Sequence, residues 1–174
     1  GASSSYDPLY TTQYLPEELE AAVKAARDFD TYVMVHAYGD EAIIRSLEAG
    51  VRSVEHAQLM TEKSMKKFVE HDAWVSPYYA FLDTPFEDLV AYVGEENADK
   101  VQQLYEGAER QIALLKKYKY RKVALGADVV GPPENHRRNN IELAVRARYW
   151  DNVEVLRQAT SYNAELLRET GKRN

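Results

Sequence analysis

Three side chains in this sequence are of types that could bind a metal ion and work with it: His36, His56 and Asp128. His36 follows Tyr32-Val33-Met34-Val35, His56 follows the run Val51 to Glu55, and Asp128 lies just past Lys122 to Gly126. Each of those runs reads as a short strand. Between the two histidines Glu41 to Glu48 is helical, and Ala49-Gly50 supplies the stop. A strand–helix–strand unit of this kind makes its two strands parallel, so both carboxyl ends emerge at one edge of the sheet. Both imidazoles then point into one crevice, the place where parallel α/β proteins put ligands and chemistry. Two imidazoles and a carboxylate suit zinc or a similar divalent ion. Such an ion lowers the pKa of a bound water toward neutrality, and Asp128 could take the proton during attack on a carbonyl. Either histidine alone reads more simply as a capped or hydrogen-bonded structural residue. The pair at equivalent strand ends, with an aspartate at a third, brings the ligand reading level with the structural one.

Other residues have a plainer reading. His71 lies at a helix end before Asp72, where a cation meets the C-terminal dipole. His136 sits in the polar loop from Gly131 to Asn140 and could reach the crevice mouth, but Arg137 and Arg138 beside it favour a solvated position. Glu55 faces away from His56 by the two-residue period of a strand, which argues against a shared ligand role. Tyr6, Tyr38, Tyr78 and Tyr79 fall in predicted strand-end loops. Tyr6, Tyr38 and His136 are the candidates to touch a substrate, although packing is the simpler and favoured reading of each tyrosine.

The elements that must hold these groups alternate. Pro16 to Phe29 is an amphipathic helix with Pro16 at its start and Glu17 and Glu18 in its first turn. After the His36 and His56 strands, Thr61 opens another helix, and Trp74-Val75-Ser76 is a short strand stopped by Pro77. Phe86 to Val93 leads into a long helix from Glu95 to Tyr118, with Val101, Leu104, Tyr105, Ala108, Ile112 and Leu115 facing inward. Lys122 to Gly126 is the fourth strand. Two helices follow, Ile141 to Tyr149 and Asn152 to Glu169, the second broken near Ser161-Tyr162. Four strands each followed by a helix predict an α/β fold of parallel βα repeats. That is either a small open sheet or half of a (β/α)8 barrel, which needs about 250 residues.

Composition narrows the partners. The 174 residues carry a net charge of −6, with 45% apolar and 29% charged side chains, as in an ordinary globular protein. An acidic chain does not suit nucleic acid. Its one basic run, Lys116 to Lys122, reads as a solvated helix end rather than a base-stacking surface. With no cysteine there is neither a disulfide nor a thiolate ligand. No apolar run approaches the roughly 18 residues of a membrane span. The expectation is a soluble protein, cytoplasmic or, with a signal peptide upstream, exported. No GxGxxG or phosphate-loop motif occurs.

Several segments, taken in order, resemble the amidohydrolase superfamily: VMVHAY, SLEAGVRSVEHAQLMTEKSMKKF, VALGADV and LRQATSYNAELL, with SSSYDP and TQYLPEELEAAVKAA ahead of them. The resemblance is to the imidazolonepropionase-like branch that includes Xaa-Pro dipeptidases. It implies the C-terminal half of a TIM-type (β/α)8 barrel, residues 1–174 being a partial catalytic domain with strands five to eight. It implies a mono- or binuclear divalent metal centre, commonly zinc. His36 would match the histidine ending the fifth strand, His56 that of the sixth, and Asp128 the aspartate of the eighth, a ligand and the base for a metal-activated water. The chemistry would be hydrolysis of an amide or peptide bond in a small-molecule or dipeptide substrate of the Xaa-Pro kind.

This sequence also departs from the family's pattern. It contains no His-x-His pair and begins just after the place of the branch's carboxylated lysine, and the small β-domain has no counterpart. Gly126-Ala127-Asp128 stands where the family often has Gly-Thr-Asp, and Ala57 stands where it has glycine. The expectation is therefore a fragment that binds metal weakly and is inactive alone. Open sheet edges predict self-association or pairing with the missing N-terminal half. Two other readings stay open: a non-catalytic α/β scaffold or binding module, and a hydrolase of cyclic amides such as imidazolones.

Overall fold

The computed structural model describes residues 2–129, 133–136 and 139–168. In chain order the elements are α1 (Pro16–Asp28), β1 (Met34–Gly39), α2 (Asp40–Glu48), β2 (Ser53–Leu59), α3 (Glu62–Glu70) and β3 (Trp74–Ser76). They continue with α4 (Phe86–Val93), α5 (Ala98–Lys117), α6 (Pro133–His136), α7 (Ile141–Arg146), α8 (Asn152–Arg157) and α9 (Asn163–Leu166). Single 3-10 turns precede α4 and α5, at Ala80–Asp83 and Glu95–Asn97. A π-helical turn at Gln158–Tyr162 joins α8 to α9, where the sequence predicts a break. His136 lies in the last turn of α6, inside a predicted loop.

The three strands form one parallel sheet in the order β1-β2-β3, as the alternating pattern requires. Two expectations need correction. The strands do not stop at the histidines: β1 runs on to Gly39 and β2 to Leu59. The predicted fourth strand shrinks to one parallel bridge, Val75 to Val123, made by the Val75 N–H donating to Lys122 O at 3.0 Å and the Ala124 N–H to Val75 O at 2.8 Å. The reason lies in β3, which Pro77 ends after three residues, leaving little ladder to pair with. Beyond the bridge a side chain takes over. The Asn163 amide accepts from the Leu125 N–H and donates to the Leu125 carbonyl, both at 2.9 Å, just as a neighbouring strand would.

The helices dock by their apolar stripes. Ile43 and Leu47 of α2 and Met65 and Phe68 of α3 are wholly buried against Val54 and Val75 in one core cluster. Each such side chain contributes about 1.5–3 kcal/mol relative to exposure. Thr61 caps α3, its hydroxyl accepting from the Lys63 N–H at 3.0 Å. The inward residues predicted for α5 are buried except Tyr105, which lies half-buried with its hydroxyl on Phe81 O. Lys116 and Lys117 close α5 and complement its C-terminal dipole. Among the described residues no helix is long and apolar enough to cross a membrane.

Candidate active site

The rim of the sheet is shaped by an irregularity in β2. Ala37 pairs with His56 and Gly39 with Leu59, so two steps along β1 match three along β2. At this bulge His56 and Ala57 both take left-handed backbone angles, φ 71° and 54°, a conformation that costs non-glycine residues of order 1 kcal/mol or more. Register alone would set Glu55, not His56, beside His36. A bulge re-aims a side chain. The His56 ring consequently packs against His36, with centroids 4.5 Å apart and planes at 79°.

Tyr38 completes the cluster. Its ring stacks on His56 at 4.8 Å and meets His36 edge-on at 5.0 Å. Asp128, itself at φ 39°, brings Oδ2 to 3.8 Å from His56 Nε2. The four side chains from three separate chain segments thus share one rim. His56 is only 8% exposed, whereas the Asp128 side chain is 53% exposed and His36 is open to solvent. A cavity of about 540 Å³ opens beside His36 and Tyr38, between the 8–14 segment, α1 and β1.

Burial sets the charge states. Desolvation, reinforced by His36, lowers the His56 imidazole to a pKa of about 4. Desolvation also lowers His36, against the attraction of Asp128. The Tyr38 hydroxyl is pushed up to about 12 by burial and then by the Asp128 charge. Desolvation raises the Asp128 carboxyl, against the attraction of His36. The buried His56 imidazole is therefore neutral at pH 7, the form in which a histidine nitrogen donates a lone pair to a metal. The donor chemistry fits a divalent ion. The donor geometry is not a finished cage: among the described residues no three His, Asp or Glu side chains are grouped to hold a metal ion. The two rings pack edge to face, with Asp128 beside His56.

Tyr6 projects into solvent at 92% exposure and His136 is exposed as well. Tyr79 is fully buried, and His71 caps the end of α3. Sequence reasoning passed over the layer beneath the rim. Gln111 of α5 donates to His56 O at 2.8 Å and accepts from the Tyr79 hydroxyl at 2.9 Å. The backbone N–H groups of Tyr79 and Ala80 donate to Glu142, which pairs at 2.7 Å with Arg146 Nε. Arg146 also donates to Gln158 Oε1 at 2.7 Å and Pro77 O at 2.6 Å. Burial pushes the Glu142 carboxyl up, and Arg146 offsets this only in part. The i, i+4 spacing of Glu142 and Arg146 was a legible signal; Gln111 offered none.

The chain belongs to the amidohydrolase family, whose sequence profile matches residues 5–171. It is similar to a prolidase solved in complex with N-methylphosphonate-L-proline: 32% identical, TM-score 0.85, over 99% of this chain and 42% of that one. A Xaa-Pro dipeptidase solved with methionine in its active site is 27% identical, TM-score 0.74, over 90% of this chain and 38% of the other. In fold alone the chain is also like the A. niger ochratoxinase, at 22% identity and TM-score 0.80 over 96% of this chain and 37% of that one. The chain thus spans about two-fifths of the length of these relatives. Parallel strands alternating with helices, matched to that share of family members, are part of a (β/α)8 barrel. Among curated proteins none matches this sequence.

Proposed function

We propose that this chain is the C-terminal part of a metal-dependent amidohydrolase that cleaves amide or peptide bonds in Xaa-Pro dipeptide-like substrates. The observation that carries the reading is the gathering of His36, His56, Tyr38 and Asp128 on one rim of a family member's sheet. Similarity to a prolidase solved with a phosphonate bearing L-proline supports the substrate class. His36 and His56 would supply two nitrogen ligands and Asp128 an oxygen. A divalent ion, zinc by the softness of these donors, supplies acidification of a bound water when present. Asp128 would be the group to receive that water's proton. Its exposure would let the proton leave to solvent. Tyr38, protonated throughout the neutral range, can donate a hydrogen bond toward the cavity beside it.

The chain alone is expected to bind zinc weakly, to be inactive and to self-associate through its exposed sheet edges. In the complete enzyme Asp128→Asn should slow release of proline from Xaa-Pro dipeptides by at least about a hundredfold, the scale of a lost general base. An unchanged rate sinks the assignment of Asp128. Calorimetric titration of this chain with zinc shows how the ligands are shared, and tight stoichiometric binding would mean that the site is complete here.

A further inference from the structure

The bulge in β2 has to be held by something: histidine tolerates a left-handed backbone better than most residues, but Ala57 beside it does not, and two such residues in succession are costly. We propose that Gln111 is the positioning residue that holds it, and that through the His56 carbonyl it fixes where the His56 ring points. The metal-ligand role of His56 in this inference rests on the function proposed above.

The argument starts from atom types. A carbonyl only accepts, so the Gln111 amide must turn Nε2 to His56 O. That leaves Oε1 to accept from the Tyr79 hydroxyl, which is the contact seen. Gln111 and Tyr79 are wholly buried, so neither contact can be replaced by bulk water. Tyr79 is fixed in turn by its own N–H, which donates at 2.8 Å to the Glu142 carboxylate that Arg146 grips. One helical turn before Gln111, Gly107 lets α5 come close: a Cβ there would lie 2.5 Å from Gln58 O. The face of α5 carrying Gly107 and Gln111 therefore lies directly on the bulge.

The consequence for the rim follows from strand periodicity. Without Gln111 the His56 carbonyl loses a buried donor, which favours relaxation of the bulge to ordinary strand. An unbulged β2 keeps the register His36 to Glu55 and turns His56 to the opposite face, away from His36. Gln111 touches no reacting atom; it decides which side of the sheet the imidazole occupies.

The test is Gln111→Met, which keeps length and apolar bulk but removes donor and acceptor. Two readouts are compared with wild type well below the unfolding midpoint: the cross-peak between His36 and His56 ring protons in NMR spectra, and the zinc dissociation constant by chelator competition. The cross-peak should vanish and the constant should rise 10–100-fold, the usual range for loss of a group supporting a ligand. A variant that only melts earlier, with cross-peak and zinc constant as in wild type, overturns the proposal. Should Gln111→Met not fold, Tyr79→Phe carries the test, since it frees the amide to rotate. A weakened cross-peak and a severalfold weaker zinc affinity support the proposal, and unchanged values overturn it. If His56→Ala binds zinc as wild type does, the ligand reading of His56 fails. The cross-peak still decides whether Gln111 places the ring.

Discussion

The rim and the layer directly beneath it are both polar, yet they are held in opposite ways. On the rim, His56 and Asp128 stand 3.8 Å apart, and His36, Tyr38 and His56 touch through ring contacts. None of these is a hydrogen bond of ordinary length. Beneath it Glu142, Arg146, Gln158, Tyr79 and Gln111 are joined by buried bonds of 2.6 to 2.9 Å. The upper groups meet through ring contacts and a long ion pair, while the lower ones bond to one another and to backbone atoms of the β3–α4 connection and of β2, although Gln158 Nε2 is buried without a partner. A site built this way separates the residues that act from the residues that fix the chain. Short fixed bonds belong to the second set.

The largest effect should come from breaking the lower layer. Arg146→Met leaves the wholly buried Glu142 carboxylate without its cation and Pro77 O without its donor. Removing one partner of a buried pair typically costs about 3–5 kcal/mol. Urea unfolding should show a loss of that size. A loss under about 1 kcal/mol would mean that the layer is not what holds the β3–α4 connection, and the contrast with the rim would collapse.

A pH series sharpens the contrast from the rim's side. The His56 pKa is near 4 in the folded chain and near 6.5 when unfolded, so between those values only the unfolded chain takes up the proton. Stability is therefore lost as pH falls from about 6.5 toward 4. The shift corresponds to about 3 kcal/mol. Comparing urea midpoints at pH 7 and pH 4, wild type should lose about that much more than His56→Leu, in which the titrating group is gone. Parallel losses in the two proteins would show that the imidazole is not desolvated, and with it that the bulge does not bury His56 as described.

Much of this was legible in the residues, for reasons that differ by element. The α5 stripe and the Thr61 cap are local patterns, and local patterns determine helices. The βα alternation predicted the parallel sheet, and the runs before His36 and His56 placed both on one rim. What the residues did not carry was the bulge. Histidine visits positive φ more often than most residues but alanine rarely does, and the pair is held there by Gln111, 55 positions away. The fourth strand failed for a similar reason: Lys122 to Gly126 has the composition of a strand, but β3 is too short to pair with it and Asn163 substitutes for a ladder. Asn163 and its partner Leu125 both lay within segments singled out by resemblance, but neither segment showed that a side chain would pair with a backbone 38 residues away.

The smallest effect is also the cleanest control on the first. Arg148 lies two residues beyond Arg146 and also pairs with a carboxylate, that of Asp83. The two pairs share chemistry and nearly share position; they differ in solvent. The Arg148 side chain is 49% exposed and that of Asp83 34%, against zero for Arg146 and Glu142. Exposed ion pairs contribute about 0–1 kcal/mol, because water solvates each charge nearly as well as its partner does. Arg148→Ala should therefore shift the urea midpoint slightly, and the shift should shrink further in 0.5 M salt, which screens the pair. Arg146→Met should keep its penalty in the same salt, since no ions reach that site. If both variants lost stability equally, or if salt rescued both, burial would not be what distinguishes the layer from the surface, and the division between acting and fixing residues would have to be drawn elsewhere.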